Sequence, residues 1–233
     1  MTDYYAGPGG QWPTLTAAMK YIGSLGATGG MTLHMTGNLT EGVNIPRHNW
    51  ITQAPQDMLV DLGGFTLTTP AGSQAALLAV GVDTQWSFRN GKIANPAGWA
   101  VQVDQSVMSF FDGIEVVMGT PTAMAAGGFL GTAGGRAQCL SRIVFSGNGG
   151  YLMSVGWDAA IMYEPATIGL DGTVTCLDLF NVGSNGKVEL SSPTGVSFDG
   201  TFTYSGGRTS SDGLSGSQLV VPKGIAWPIG STP

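Results

Sequence analysis

Two carboxylic acids in a strand context are the first residues of this chain whose types and spacing suggest chemistry. Asp112 and Glu115 lie three positions apart, across a turn between two short apolar strands. Hydrolysis of a glycosidic bond needs two carboxyl groups about 5–10 Å apart, so this pair is a candidate for a catalytic site. The interpretation that we favour is structural: Asp112 sets the turn and Glu115 faces solvent.

Aromatic and acidic residues that are close in sequence form a second candidate site. Trp157-Asp158 and Tyr163-Glu164 combine rings that can stack on a sugar with carboxylates that can accept hydrogen bonds. We therefore predict glycan binding at Trp157, Asp158, Tyr163 and Glu164. The alternative is that most tryptophans of the chain belong to the core or to subunit contacts.

Lyase chemistry is a third possibility, and it needs acidic calcium ligands with a basic residue as proton acceptor. Asp104 and Asp112, with Arg89 or Arg142, could supply these groups if they stacked on neighbouring turns of the chain. The spacing of these residues does not require that they meet.

The histidines and cysteines show no metal-ligand spacing, so we expect neither a metal site nor a cofactor. His34 and His48 are isolated and are expected to be surface or interface groups. Cys139 and Cys176 are too few for a disulfide framework and are expected to be buried thiols.

One short amphipathic helix stands before all these residues. Thr14 is its predicted N-cap, and Gly23 and Gly26 are predicted to end it. Its apolar residues fall on one helical face: Leu15, Ala18, Met19 and Ile22. Because a helix of about ten residues is marginal alone, it must pack on an apolar layer of strands.

From Met31 onward the period becomes that of a strand, with apolar and polar residues alternating. Short strands separated by glycine and asparagine then recur. Aligning Phe65, Ile93, Ile114 and Ile143 gives an irregular repeat of roughly 20–30 residues, the length of one turn of a solenoid.

The last third of the chain has a different sequence pattern. Asp171-Gly172, Asn185-Gly186 and Asp199-Gly200 each separate two strand-like segments. Two-residue Asp-Gly and Asn-Gly loops are a strong hairpin signal, so we predict antiparallel β structure here. The competing interpretation is that these pairs are further corners of the solenoid.

The composition limits the classes of partner. Only 10% of residues are charged and the formal net charge is −6, with no basic patch, so nucleic acid is not expected as a partner. Neither a membrane span nor a signal peptide is recognisable, so we expect synthesis in a cytoplasm and no membrane insertion. A surface so poor in charge suggests that much of it is covered in an oligomer.

The opening residues carry a resemblance to a known family. Thr14–Ile22, then Gly29-Gly30-Met31-Thr32-Leu33, then 37–46 resemble the entry to a pectin-lyase-like right-handed parallel β-helix, a fold found in bacteriophage tailspike and fibre proteins. The resemblance implies an all-β, single-stranded parallel β-helix with an N-terminal capping helix, and a homotrimer. We predict an N-terminal segment and cap over 1–30, a β-helix over 31–162, and a β-rich region for trimerisation or surface contact over 163–233.

This resemblance, the short chain and the lack of a dense carboxylate cluster favour a virion appendage, such as a tail spike, tail fibre or head spike. It would be made in a host bacterial cytoplasm, assemble with other virion proteins, and attach to host cell-surface polysaccharide without catalysis. The first alternative is a polysaccharide-degrading tailspike, either a lyase or a glycoside hydrolase. The second is a purely structural capsid or baseplate component.

Overall fold

In the computed structural model of the protein, the structure describes residues 2–25, 30–45, 58–70, 72–81, 86–119, 126–211 and 216–233. These residues form one α-helix and a long series of short strands. In chain order the elements are β1 (Thr2–Ala6), α1 (Leu15–Ser24), β2 (Met31–Met35), β3 (Leu39–Thr40), β4 (Val43–Ile45), β5 (Met58–Asp61), β6 (Thr66–Thr68), β7 (Ala75–Val80), β8 (Trp86–Arg89), β9 (Gly91–Asn95), β10 (Trp99–Asp104), β11 (Val107–Phe110), β12 (Ile114–Met118), β13 (Gly127–Thr132), β14 (Arg136–Cys139), β15 (Val144–Asn148), β16 (Tyr151–Val155), β17 (Ala160–Tyr163), β18 (Thr167–Val182), β19 (Lys187–Leu190), β20 (Ser197–Asp199), β21 (Phe202–Ser211), β22 (Gln218–Val220) and β23 (Ser231–Thr232).

The strands stack into a parallel β-solenoid of about 7 turns, which confirms the predicted fold class. Face 1 is the sheet β1-β2-β5-β8-β11-β14-β17-β19-β22. Face 2 contains β3, β6, β9, β12, β15, the first part of β18, and β20. Face 3 contains β4, β7, β10, β13, β16 and the second parts of β18 and β21. Each coil passes once through all three faces.

The core is built from residues that hold the same position in successive coils. On face 1 the strand register aligns Met31, Met58, Trp86, Met108, Ala137, Ile161, Val188 and Leu219. On face 3 it aligns Val43, Leu77, Val101, Phe129, Met153 and Phe180. With the exception of the half-buried Leu219, these side chains are buried. The solenoid therefore has one continuous apolar interior, which no single coil could form alone.

The repeat predicted from the sequence has the right period and the wrong register at one of its four positions. On face 2 the structure aligns Leu39, Leu67, Ile93, Val116, Phe145 and Leu170. The predicted Phe65, Ile114 and Ile143 are aligned with Gly91, two residues earlier in each coil, so Ile93 is the position that is out of register. Because side chains alternate with period two along a strand, a shift of two residues still selects the inward side.

The prediction of antiparallel structure over 163–233 is wrong. Every pairing of β17 to β23 is parallel, so these residues continue the solenoid. Asp171-Gly172 lies inside β18, Asn185-Gly186 forms a corner from face 3 to face 1, and Asp199-Gly200 joins β20 to β21. Solenoid corners need the same positive φ angles as tight hairpins, so the dipeptides alone could not separate the two interpretations.

The predicted division at residue 163 falls within β17, which pairs with both β14 and β19. The role of 163–233 in trimerisation stays a prediction. The strand β1 was not foreseen, and it extends face 1 by pairing in parallel with β2.

Helix α1 covers the N-terminal end of the apolar interior, as predicted. Its buried residues are the four expected ones, and Ala17 N donates to the Thr14 side-chain oxygen at 3.1 Å, which makes Thr14 the N-cap. The helix continues through Gly23 to Ser24, and Gly26 lies outside the described residues. Within the described part of the chain, no helix combines the length and apolarity needed to cross a bilayer.

A carboxylate from the first coil fixes the start of α1. Glu41 accepts hydrogen bonds from Leu15 N at 2.6 Å, from Thr16 N at 3.2 Å and from the Thr16 hydroxyl at 2.9 Å. These N–H groups have no partner within the helix, and a negative charge at this end is favourable to the helix dipole. Glu41 therefore joins the cap to the solenoid.

At the C-terminal end, Trp227 covers the apolar interior of the solenoid. Its ring is half-buried, lies 6.2 Å from the ring of Phe180, and carries the Arg208 guanidinium 5.4 Å above its centroid. Val221 and Ile225 also pack on the core.

We expect Glu41→Ala to lower the free energy of unfolding by about 1–2 kcal/mol, since it removes the acceptor of the first helical N–H groups. Urea denaturation followed by circular dichroism measures this change. Glu164→Ala is the matched control, because Glu164 is exposed and distant from α1. Equal losses in both variants would contradict the capping role of Glu41.

Candidate functional site

A groove of about 560 Å³ lies along the corner between face 1 and face 2, and we call it the corner groove. It is formed where β5, β8 and β11 end on three successive coils. Its lining combines charged, amide and aromatic side chains: Leu59, Asp61, Arg89, Asn90, Phe111, Asp112 and Gly113.

Asp61 is the most strongly held side chain of the corner groove. It forms an ion pair with Arg89, with the Nη2 atom 2.9 Å and the Nε atom 3.0 Å from Oδ2. Oδ1 accepts hydrogen bonds from Gly63 N at 3.0 Å and from Asn90 Nδ2 at 3.1 Å. Burial alone would raise the pKa of Asp61, but these donors together hold its pKa below the ordinary value. Asp61 is therefore ionised at neutral pH and organises the groove wall.

Stacked corners form the floor of the corner groove. Asn90 adopts the left-handed conformation with φ 57°, and its N–H donates to Asp112 O at 2.8 Å. Gly64 N in turn donates to Asn90 O at 2.8 Å. A Cβ atom on Gly113 would lie 3.2 Å from the Asn90 Cα atom, and φ there is +76°, so a larger residue would be strained as well as crowded. The backbone thus comes close to the surface at this point.

Phe111 and Asp112 give the corner groove its free recognition groups. Asp112 is exposed, and its carboxylate has no hydrogen-bond or ion-pair partner among the described residues. Phe111 is half-buried, and its N–H is used in a bond to Phe88 O at 2.8 Å. A half-buried aromatic ring next to an unpaired carboxylate can contact both the apolar face and the hydroxyl groups of a sugar.

Polar and aromatic residues continue the row of Asp61 toward the N-terminal end. The register of face 1 aligns Tyr5, His34, Asp61 and Arg89 on four successive strands. The Tyr5 and His34 rings are stacked with centroids 5.2 Å apart, and His34 Nε2 lies 3.1 Å from Asp3 Oδ1. His34 is thus a surface group, as expected, while His48 lies outside the described residues.

The two carboxylates proposed for hydrolysis have different surroundings. Asp112 lies in the corner groove, whereas Glu115 lies on face 2, where its Oε2 atom is 2.6 Å from Lys92 Nζ. Ser146 Oγ also donates to Glu115 Oε1 at 3.0 Å. Glu115 is therefore held by an ion pair on a neighbouring face and does not line the corner groove.

The residues considered for lyase chemistry are spread over several faces. Arg142 forms an ion pair with Asp199 on face 2, with Nε 2.8 Å from Oδ1. Asp104 ends β10 on face 3, and its buried Oδ1 atom has no hydrogen-bond partner among the described residues. Of these four residues, Arg89 and Asp112 both line the corner groove, without a hydrogen bond or ion pair between them.

The four predicted glycan-binding residues divide between two ends of a strand. Trp157 and Asp158 lie in the corner before β17, and Glu164 follows β17. The Trp157 side chain is 65% exposed and Asp158 and Glu164 are also exposed. These residues are accessible, but they do not form one cluster.

Tyr163 cannot contact a glycan in this structure, because it is fully buried. Its hydroxyl donates to Thr167 O at 2.6 Å and accepts a hydrogen bond from Ile143 N at 3.1 Å. Burial raises the pKa of Tyr163 well above its ordinary value. Tyr163 is therefore a structural residue of the core, and of this pair it is Glu164 that is accessible to a ligand.

The sequence interpretation missed Asp61, Asn90 and Phe111. Asp61 ends a strand one coil before Arg89-Asn90, and this alignment was a signal available in the sequence. Using that signal requires the correct register between coils, because residues 61, 89 and 112 become neighbours only when their strands are aligned.

Both cysteines are buried free thiols, as predicted. Burial raises the pKa of the Cys176 thiol to about 11 and that of Cys139 further. Across the described ranges no group of three or more His, Cys, Asp or Glu side chains has the arrangement of a metal site.

No family model matches the chain. A search of curated proteins and a search of solved structures likewise gave no significant match. The geometry of the chain itself therefore carries the functional argument.

We expect Asp61→Asn to reduce stability at neutral pH and to reduce the acid sensitivity of the fold. The folded-state pKa of Asp61 lies below its ordinary value of 3.8, so its contribution is complete above that value and is lost as the pH falls toward the folded-state pKa. The difference in unfolding free energy between wild type and variant should therefore shrink below about pH 4.

Urea denaturation at a series of pH values measures this difference. Arg89→Gln keeps the carboxylate and removes its charged donor, so the same trend with a smaller amplitude is expected. A difference for Asp61→Asn that is constant with pH would show that the donors do not favour the ionised form.

Proposed function

We propose that the protein is a carbohydrate-binding β-solenoid that attaches a bacteriophage-like virion to polysaccharide on the host surface, without cutting that polysaccharide. The observation that carries this proposal is the corner groove, where Phe111 and Asp112 lie beside the Asp61–Arg89 ion pair. Sugar sites need an apolar surface for the ring face and fixed polar groups for the hydroxyls, and the groove supplies both.

The shape of the solenoid favours a long ligand. Coils repeat at about 4.8 Å along the axis, and the corner groove crosses three of them at β5, β8 and β11. It continues toward the N-terminal end through the aligned residues His34 and Tyr5. A linear polysaccharide lying along this row would meet polar or aromatic groups at each coil.

Binding without cleavage agrees with the state of the carboxylates. An acid catalyst for glycoside hydrolysis must hold a proton near neutral pH, whereas hydrogen bonds and Arg89 keep Asp61 ionised. Glu115, the proposed partner of Asp112, is instead paired with Lys92 on face 2.

Assignment to a virion rests on sequence features. The residues of the cap and first coil resemble the entry to a pectin-lyase-like β-helix, a fold found in tailspike and fibre proteins, and the solenoid with its capping helix is consistent with that fold. Only 10% of the residues are charged, which supports a homotrimer and contacts with other virion proteins, because such a surface is poorly suited to a free monomer.

We expect Phe111→Ala to weaken polysaccharide binding about tenfold, since it removes the apolar contact for a sugar ring. Asp112→Asn should weaken binding by a similar factor, because it replaces two acceptors with one acceptor and a donor. Biolayer interferometry against immobilised bacterial surface polysaccharides measures both effects.

Asp171→Asn is the control for Asp112→Asn, since Asp171 is also an exposed aspartate beside a glycine but lies on face 2. It should bind like the wild type. Binding by the wild type that neither groove variant weakens would contradict the placement of the site. Release of shortened glycan during incubation would instead favour the degrading enzyme.

A further inference from the structure

Trp157 occupies a corner position that normally suits a small residue. In the corners from face 3 to face 1, three successive coils place two residues in the left-handed region, as in Ala133-Gly134, Trp157-Asp158 and Ser184-Asn185. The φ angles of Ala133, Trp157 and Ser184 are 46°, 51° and 46°. Backbone bonds stack these corners, because Gly134 N donates to Trp157 O at 2.8 Å and Asp158 N donates to Ser184 O at 3.2 Å.

The comparison with neighbouring coils shows that the corner does not need a tryptophan. Its equivalents are an alanine and a serine, and a bulky residue in the left-handed region is unfavourable. The side chain is 65% exposed, so it contributes little to the apolar core. Strained backbone that carries an exposed aromatic residue is typical of a functional position.

A cleft of about 350 Å³ adjoins this corner, and we call it the charged cleft. On face 1 the register places Ala160 between Arg136 on one side and Lys187 on the other. Because adjacent strands lie about 4.8 Å apart, the small side chain of Ala160 leaves a depression between two longer cationic ones. Asp158 lines the same cleft.

Two cationic side chains line this cleft, and they differ in whether a carboxylate of the protein is already paired with them. Lys187 Nζ lies 2.7 Å from Glu189 Oε2, so that lysine is already paired. Arg136 is exposed, and within the described ranges it has no carboxylate partner. Its planar guanidinium group can donate two parallel hydrogen bonds to one carboxylate.

We propose that the charged cleft and Trp157 form a second carbohydrate subsite, which selects a sugar unit bearing a carboxylate. Arg136 binds that carboxylate, Asp158 accepts hydrogen bonds from hydroxyl groups, and Trp157 provides the stacking surface. This inference rests on the proposed glycan-binding function and adds the class of sugar. A protein partner fits less well, because Lys, Glu and Asp are depleted at the centres of protein interfaces.

The test compares two forms of the same probe. Purified capsular polysaccharides that contain uronic acid are used as isolated, and again after chemical reduction of their carboxyl groups to alcohols. We expect the wild type to bind the native form about tenfold more tightly than the reduced form. Arg136→Gln should bind both forms equally, at the affinity of the reduced one.

Trp157→Ala, which copies the residue of the neighbouring coil, should weaken binding to both forms about tenfold. Its melting temperature should equal or exceed that of the wild type, because the strained bulky residue is gone. Leu177→Ala is the control, since it also removes an exposed apolar side chain, here 52% exposed, and should leave binding unchanged.

The possible failures are distinguishable. If the wild-type protein binds both forms equally well, the carboxylate selectivity is overturned and the proposed function stays intact. If the wild-type protein binds no polysaccharide, the selectivity and the proposed function are both overturned. Trp157→Ala that binds normally but changes the oligomeric state in light scattering shows a protein interface instead. A marked fall in its melting temperature would show that the tryptophan has a structural role.

Discussion

Parallel pairing in register between successive coils is the constraint on which the rest of this structure depends. Each strand repeats the position of the strand one coil earlier, so apolar residues such as Val101 and Phe129 meet along the axis. A slip of one residue would turn every inward side chain of a strand to the surface. The two ends of this stack would leave apolar surface uncovered, and they are closed by α1 and by the segment around Trp227.

The same register determines the surface chemistry. Asp61 and Arg89 lie directly opposite each other because their strands pair in register, and this contact creates the wall of the corner groove. Arg136 and Lys187 flank Ala160 for the same reason. Rows of side chains along the axis are thus a consequence of the fold, and a linear polymer is the ligand shape that matches them.

Much of the fold was predictable from the sequence, because local signals agree with the final structure. Thr14 caps α1, the apolar face of the helix is buried, and the strand period and repeat length indicate a solenoid. Two-residue turns such as Asn185-Gly186 were ambiguous, since positive φ angles serve both a hairpin and a solenoid corner. The parallel pairing that resolves them is a long-range property.

The candidate site was less predictable, for a related reason. The exposed Trp157 and Asp158 were found from residue type alone, whereas Tyr163 looked equally suitable and is fully buried. Its burial depends on which side of β17 faces the core, and that follows from the register. Asp61 was not predicted, because its partner Arg89 is a full coil away in the sequence.

The most direct test of the central claim is a crystal structure of the protein with an oligosaccharide cut from a polysaccharide that it binds. The account predicts a sugar ring against Phe111, with hydroxyl groups within hydrogen-bond distance of Asp112 and Arg89, and the chain extending along face 1. An oligosaccharide bound on face 2 or face 3, with the corner groove empty, would contradict it.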